Sequence, residues 1–121
     1  MALPNEKFEE IKLKIQNFVD NEMVVHEEDF NINHKFADHL EFLEEKRNLV
    51  REMGLFAPQI SKEHGGLGLS LHQLGQIYEI LGKTFYGLYV FNCQAPDAGN
   101  MEILIEHGSE YQKEKFLNPL V

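Results

Sequence analysis

The residues of this sequence that could carry chemistry are a cluster of glycines, six histidines, one cysteine and a set of amide side chains. The glycine cluster, His64–Ser70, reads HGGLGLS and suggests a loop that binds phosphate groups. Gly66 and Gly68 supply a G-x-G, but the third glycine of a dinucleotide fingerprint would fall at Leu71. No strand is predicted before the cluster, and no Gly-Lys-Ser follows it for a P-loop. The cluster therefore predicts a tight left-handed turn that leads into a helix.

The histidines and the cysteine predict neither a metal site nor a nucleophile. His34 and His39 are five residues apart, off the i,i+4 spacing that brings two helical histidines together, and there is no HExxH. The acidic run His26–Glu28 predicts a solvated loop. Cys93 has apolar neighbours, which indicate a buried small residue rather than an activated thiol.

The amides of the segment Tyr89–Asn100 (YVFNCQAPDAGN) have two interpretations. Asn92, Gln94 and Asn100 are polar groups in an apolar surrounding, and a buried polar group needs a hydrogen-bond partner. They either satisfy backbone groups at the break around Pro96 or line a pocket. Composition favours the first interpretation, because buried amides usually serve structure.

Composition limits the class of protein. A length of 121 residues predicts one domain, residues 1–121, with a single modest core. The net charge of −9 argues against binding to nucleic acid or to an anionic membrane, because phosphate binding needs clustered Lys and Arg. No apolar run approaches the ~20 residues of a membrane span. The first residues show neither signal-peptide nor transit-peptide character, and a single cysteine is typical of a reducing compartment.

Apolar residues at three- and four-residue steps predict three long helices. The first is capped by Asn5, and the second covers about Lys35–Met53 before a left-handed stop at Gly54. The third opens at Ser70, with Gln73 completing a capping box. The mixed, acidic stretch Asn21–Asn33 between the first two helices predicts a loop or a short irregular helix. The predicted inward faces are, in order, Phe8, Ile11, Ile15, Phe18 and Val19; Phe36, Leu40, Leu43, Val50 and Met53; and Leu71, Leu74, Ile77, Tyr78 and Leu81.

Two shorter helices are predicted near the end of the chain. Asp97 is the predicted N-cap of one, which ends at Gly108. Ser109 and Gln112 form a second capping box before the last helix. The apolar stretch Phe85–Phe91 is the one place where a strand competes with a helix. Nothing else alternates with period two, so the pattern predicts an all-α protein, an up-and-down bundle of about five or six helices.

Three stretches of the sequence resemble one protein family. Residues 54–83, GLFAPQISKEHGGLGLSLHQLGQIYEILGK, are similar to the N-terminal domain of acyl-CoA dehydrogenases, with its Pro-Glu-Glu-(Tyr/Phe)-Gly-Gly-x-Gly turn and a helix ending in Glu-Glu-Leu-Gly. His107–Val121, HGSEYQKEKFLNPLV, is similar to a later signature of the same domain. Ser61 and His64 depart from it, standing where proline and an aromatic residue are common. Phe91–Leu104, FNCQAPDAGNMEIL, is similar to the branch of family members ten and eleven, which favours long saturated acyl chains.

The resemblance implies the N-terminal helical domain of a three-domain flavoenzyme, followed by a β-domain and a C-terminal helical bundle. Such enzymes oxidise fatty acyl-CoA thioesters in β-oxidation: a glutamate base removes the α-proton, and FAD accepts the β-hydrogen as hydride. The base and most FAD contacts belong to the later domains, so no catalytic, cofactor-binding or metal-binding residue is expected within residues 1–121. The resemblance further implies a homodimer or homotetramer, electron-transfer flavoprotein as a candidate partner, and a soluble mitochondrial or peroxisomal protein.

The resemblance also implies where this domain contacts the substrate. The matching helix lines the distal end of the acyl cavity in the family, so Val90, Phe91 and Gln94 are the expected substrate-binding residues. Leu88 and Ala95 are weaker candidates. Each methylene that such residues admit or exclude corresponds to about 0.8 kcal/mol of burial. An alternative hypothesis is a stand-alone helical module that binds fatty acyl groups or a partner protein without redox chemistry.

Overall fold

The computed structural model describes residues 2–121, and every regular element within them is helical. Five of the helices are six residues or longer, which confirms the predicted all-α class. The α-helices are α1 (Asn5–Phe18), α2 (Glu27–Ile32), α3 (Phe36–Glu52), α4 (Leu71–Leu81), α5 (Gly87–Val90), α6 (Asp97–His107) and α7 (Glu110–Gln112). The shorter elements are π-helical turns at Val19–Met23 and Lys113–Leu117, and 3₁₀ turns at Val24–His26 and Lys62–His64.

Local sequence signals placed most helix ends correctly. Oγ of Ser70 accepts a hydrogen bond from the amide of Gln73, and Oε1 of Gln73 accepts one from the amide of Ser70, so the capping box is complete. Ser109 and Gln112 do the same for α7. Gly54 has a φ of 71°, the left-handed stop predicted after α3. The stretch where a strand competed with a helix forms α5.

Two predicted helix caps are wrong by one residue. α1 begins at Asn5 and α6 begins at Asp97, so the N-cap positions belong to Pro4 and Pro96 and neither predicted side chain makes a cap hydrogen bond. Proline restricts φ at the position before each helix, and the helix begins one residue earlier than the polar residue suggested. Asp97 remains in the first turn of α6, where a carboxylate is stabilised by the helix dipole.

The predicted inward faces of α3 and α4 are correct at some positions and wrong at others, and the wrong ones lie mostly near helix ends. The residues predicted inward that prove fully buried there are Leu43, Val50, Ile77 and Leu81. Those that prove exposed are Phe36, Leu40, Met53 and Leu71. Apolar periodicity identifies a face, but the ends of these helices extend past the elements that could cover it.

The core lies between α1, α3, α4 and the short α5. α1 packs on α4, α3 packs on α5, and α6 packs on the π-helical turn near the end of the chain. The ring of Phe18 meets that of Phe91 edge to face, with centroids 5.5 Å apart. α5 is therefore held inside the bundle.

Candidate functional site

The glycine turn between α3 and α4 bonds its glycine amides to carbonyls of the same turn. Gly66 donates a hydrogen bond to the carbonyl of Ser61 (3.0 Å), and Gly68 donates one to the carbonyl of Ile60 (2.9 Å). A phosphate-binding loop needs free N–H groups directed at the ligand. Gly65 and Gly68 have φ values of 98° and 64°, which confirms the predicted left-handed turn. The amides of Gly66 and Gly68 are therefore occupied within the turn, which leads into α4 as predicted.

The residues expected to face an acyl chain, Val90, Phe91 and Gln94, lie within residues 84–95, here called the α5 segment. Its helix has four residues, far below the ~12–15 that an isolated helix needs to be even marginally stable in water. Gly87 brings the segment against the end of α4, since a Cβ there would lie 2.1 Å from the carbonyl oxygen of Leu81. The position of the segment must therefore come from tertiary contacts.

Glu27 fixes the beginning of the α5 segment. Its carboxylate accepts a hydrogen bond from Oγ1 of Thr84 at 2.7 Å and a second from the amide of Phe85 at 2.8 Å. The prediction of a solvated acidic loop at His26–Glu28 is therefore wrong for Glu27, although Glu28 is exposed. The bond partner lies 57 positions away, which no local pattern reveals.

Arg47 of α3 fixes the middle of the segment. Its Nη1 donates a hydrogen bond to the carbonyl of Tyr89, and its guanidinium lies 4.4 Å from the centroid of the Tyr89 ring. The hydroxyl of Tyr89 donates to Oε1 of Glu44 at 2.8 Å, and that oxygen lies 3.3 Å from Nε of Arg47. Burial, and then the bond to Glu44, raises the pKa of Tyr89. Burial lowers the pKa of Arg47.

Asn92 fixes the end of the segment. Its Nδ2 donates a hydrogen bond to the carbonyl of Leu120 at 2.7 Å, and its own carbonyl accepts one from Nε2 of Gln59 at 2.9 Å. Asn92 is buried and its side chain satisfies a backbone group, but that group belongs to Leu120 and not to the predicted break around Pro96. Asn100, by contrast, is exposed, and Gln94 is half-buried.

The predicted substrate-binding residues lie at different depths. Val90 and Phe91 have no exposed surface within this chain, where both belong to the core. Gln94 is half-buried at the end of the segment, and the two weaker candidates, Leu88 and Ala95, are exposed. Leu88, Gln94 and Ala95 can therefore contact a ligand at the domain surface. Val90 and Phe91 can affect such contacts only by packing beneath those three residues.

Two ionisable groups lie in or near the segment: Cys93 within it, which is buried, and Tyr78 of α4, which is half-buried. Burial raises the pKa of the Cys93 thiol to about 12 and, as its main cause, that of Tyr78 to about 12. Sγ of Cys93 lies 3.6 Å from the carbonyl of Leu88. A thiol that is neutral at physiological pH is a poor nucleophile, which agrees with the predicted structural role of Cys93.

Two further cavities lie outside the α5 segment. A groove of about 450 Å³ runs along α6 and the end of the chain; its lining residues are Asn100, Ile103, Leu104, Phe116 and Leu120. A smaller cavity of about 160 Å³ has two imidazoles and a carboxylate in its wall, from His26, His39 and Asp29. No helix in the described part of the chain is long and apolar enough to cross a membrane.

The family model for the acyl-CoA dehydrogenase N-terminal domain matches residues 5–121. The chain therefore belongs to the acyl-CoA dehydrogenase family, as a representative of its N-terminal domain, which confirms the resemblance. A solved structure titled as a putative acyl-CoA dehydrogenase from Mycobacterium abscessus superposes with a TM-score of 0.76 at 28% identity, covering 98% of this chain and 32% of that one.

Among named proteins, the chain is similar to acyl-CoA dehydrogenase family member 11 of Mus musculus, with 44% identity over 82 aligned residues, 68% of this chain. It is similar also to member 11 of Gallus gallus, with 35% identity over 95% of this chain, and to member 10 of Mus musculus, with 38% identity over 68%. The chain spans 10%, 15% and 8% of the lengths of these three relatives. It corresponds to a small part of each.

Proposed function

We propose that this chain is the N-terminal helical domain of a flavin-dependent enzyme that dehydrogenates long-chain fatty acyl-CoA in β-oxidation. The observation that carries the proposal is the family match over residues 5–121, which includes the whole α5 segment. The similarity to family members 10 and 11 supports the long-chain preference that the sequence suggested. No residue of this chain is assigned a catalytic role.

The domain's contribution is one wall of the acyl-chain cavity. Leu88 and Ala95 would contact the acyl chain from the surface of the α5 segment, with Gln94 beside them. Val90 and Phe91, which lie in the core, would determine the position of these surface residues. Admitting or excluding one methylene of the acyl chain changes the free energy of binding by about 0.8 kcal/mol, which is enough for the enzyme to prefer one chain length over another.

The reactive parts of the enzyme would lie in the domains that follow. FAD, when bound there, supplies the hydride acceptor, and a glutamate there supplies the base. The partners in this proposal are the remaining domains of the same protein, a second or further copies in a homodimer or homotetramer, and electron-transfer flavoprotein. A mitochondrial or peroxisomal location follows from β-oxidation.

Flavin content tests the proposal. The complete natural coding sequence and the 121-residue chain are expressed separately, and protein-bound FAD is measured for each. We expect stoichiometric FAD in the complete protein and none in the 121-residue chain, because the family resemblance assigns most FAD contacts to the domains that follow. Stoichiometric FAD on the 121-residue chain would contradict the proposal.

A stand-alone module that binds fatty acyl groups is the alternative, and the apolar groove along α6 is the observation in its favour. A natural coding sequence that ends at Val121 would support it. Binding of a fluorescent fatty acid by the 121-residue chain, lost on Ile103→Asp, would then assign the groove.

A further inference from the structure

Two buried residues with left-handed backbone conformations lie in adjacent segments of the fold. Ala57 has a φ of 51° and Asn92 a φ of 57°; among the described residues they are the non-glycine ones with positive φ. The amide of Ala57 donates a hydrogen bond to the carbonyl of Phe91 at 2.9 Å. Such conformations are uncommon away from glycine and persist only where the surroundings impose them. The contact between these two segments therefore requires one specific backbone conformation at Ala57 and at Asn92.

Asn92 joins three parts of the chain at this place. It lies just after α5, its carbonyl accepts from Gln59 in the connection before α4, and its side chain donates to the carbonyl of Leu120. The bond to Leu120 spans 28 positions and is short, at 2.7 Å. Asparagine tolerates the left-handed conformation, and its amide supplies the donor that Leu120 needs. No other side chain is recorded bonding to the carbonyl of Leu120 in the described part of the chain.

We propose that Asn92 is a positioning residue for acyl-chain length, acting through its bond to Leu120. The inference rests on the proposed function, in which the chain continues past Val121 into the domains that complete the acyl cavity. The cavity would then lie between the α5 segment and those domains. Its depth depends on how the segment is oriented relative to the point where the chain leaves this domain, and the bond between Asn92 and Leu120 fixes that relation.

Asn92→Gly separates the two roles of the residue, because glycine keeps the left-handed conformation and removes the side-chain donor. In the complete flavoprotein we would compare kcat/KM for butanoyl-, octanoyl- and octadecanoyl-CoA. The ratio of octadecanoyl- to octanoyl-CoA should change by about fourfold or more, the equivalent of one methylene of burial. The change should fall mainly in KM, with flavin content unaltered.

Two variants control for effects unrelated to positioning. Asn5→Gly makes the same chemical change at an exposed residue at the start of α1. Ile15→Val weakens the core from α1 and makes no change in the α5 segment. Both should keep the wild-type ratio. If Asn92→Gly does not retain flavin, Gln59→Met is used in its place. This substitution removes the donor to the carbonyl of Asn92 without introducing a charge, and it should shift the substrate ratio as well.

Hydrogen exchange measured by mass spectrometry on the same proteins separates this inference from the proposed function. In Asn92→Gly, peptides covering residues 84–95 and 116–121 should exchange faster together, with the peptide from α1 unchanged. An unaltered ratio in a folded Asn92→Gly protein overturns the positioning role. A wild-type protein that oxidises no acyl-CoA overturns the proposed function. In that case hydrogen exchange alone tests whether Asn92 couples the α5 segment to residues 116–121. Unchanged exchange of residues 116–121 in Asn92→Gly overturns that coupling.

Discussion

Glu27 and Thr84 are joined by a hydrogen bond of 2.7 Å between Oε2 of the carboxylate and Oγ1 of the hydroxyl. The other oxygen of the same carboxylate accepts from the amide of Phe85. One acidic side chain of α2 therefore satisfies two donors at the turn where the α5 segment begins. Because Thr84 is buried, its hydroxyl has no access to bulk water as a substitute.

Replacing Glu27 should destabilise the fold far more than replacing its neighbour. Glu27→Ala leaves the Thr84 hydroxyl and the Phe85 amide without their acceptor, so we expect a loss of about 2 kcal/mol in the free energy of unfolding. Glu28 is exposed and has no recorded contact, so Glu28→Ala should stay within about 0.5 kcal/mol of the wild type. Urea denaturation of both variants measures the difference; equal losses would show that the carboxylate of Glu27 is solvated.

Gln73 and Gln112 occupy the same position in two capping boxes but differ in tertiary contacts. Gln73 also accepts from the amide of Leu3 and donates to its carbonyl at 2.8 Å, whereas Gln112 bonds only within its own box. Gln73→Ala should cost about 2–3 kcal/mol of unfolding free energy and Gln112→Ala about 0.5–1 kcal/mol. Thermal and urea denaturation check this. Similar costs would mean that the contact with Leu3 adds nothing.

Two Gly→Ala substitutions should change stability in opposite directions. A Cβ at Gly66 would lie 2.0 Å from the carbonyl oxygen of Ile60, so Gly66→Ala should destabilise the fold by about 2–3 kcal/mol. A Cβ at Gly75, inside α4, meets nothing within 4 Å, so Gly75→Ala should stabilise it by about 0.5–1 kcal/mol. The comparison of melting temperatures is direct, and a tolerated Gly66→Ala would be incompatible with the packing of the turn.

The thiol of Cys93 should make stability fall at alkaline pH. Burial raises its pKa in the folded state to about 12 from an ordinary value of 9.0. Between those values the unfolded chain loses the thiol proton while the folded chain keeps it, so the free energy of unfolding decreases as pH rises. Below about pH 9 the thiol is protonated in both states and contributes no slope.

Cys93→Ala isolates this effect. The difference in unfolding free energy between wild type and Cys93→Ala should be constant from pH 7 to about 9 and then shrink toward pH 11, because only the wild type carries the titrating thiol. Isothermal urea denaturation at each pH gives the two curves. If this difference in unfolding free energy does not vary with pH, the thiol has the same pKa in the folded and unfolded states and is exposed to solvent.

The parts of the fold that follow from neighbouring residues could be predicted from the sequence. The capping boxes at Ser70 and Ser109 and the stop at Gly54 depend on residues at most three positions apart, and all three are present. The glycine turn is likewise local, because the amides of Gly66 and Gly68 bond within the turn itself.

The parts that depend on distant residues could not be predicted. Leu71 was expected inside and Gln73 was expected only as a cap, yet Leu71 is 86% exposed and Gln73 is 5% exposed. The amide of Gln73 is buried without penalty because the backbone of Leu3, 70 positions away, satisfies it. Glu27 was missed as a positioning residue for the same reason.

The substrate wall has a similar division. The family resemblance predicts an acyl-chain wall around Val90, Phe91 and Gln94, and burial places Val90 and Phe91 in the core but Leu88 and Ala95 on the surface. That separation depends on how α5 packs on α3 and α4, which periodicity over four residues cannot define.

An anaerobic titration of the complete flavoprotein with octadecanoyl-CoA tests the central proposal most directly. Dehydrogenation transfers a hydride to the bound flavin, so the yellow absorbance of oxidised FAD should decrease in proportion to the acyl-CoA added, with enoyl-CoA formed. Octadecanoyl-CoA should act at lower concentration than butanoyl-CoA. A bound flavin that dithionite reduces, but that no acyl-CoA bleaches, would contradict the assignment of this chain to a working acyl-CoA dehydrogenase.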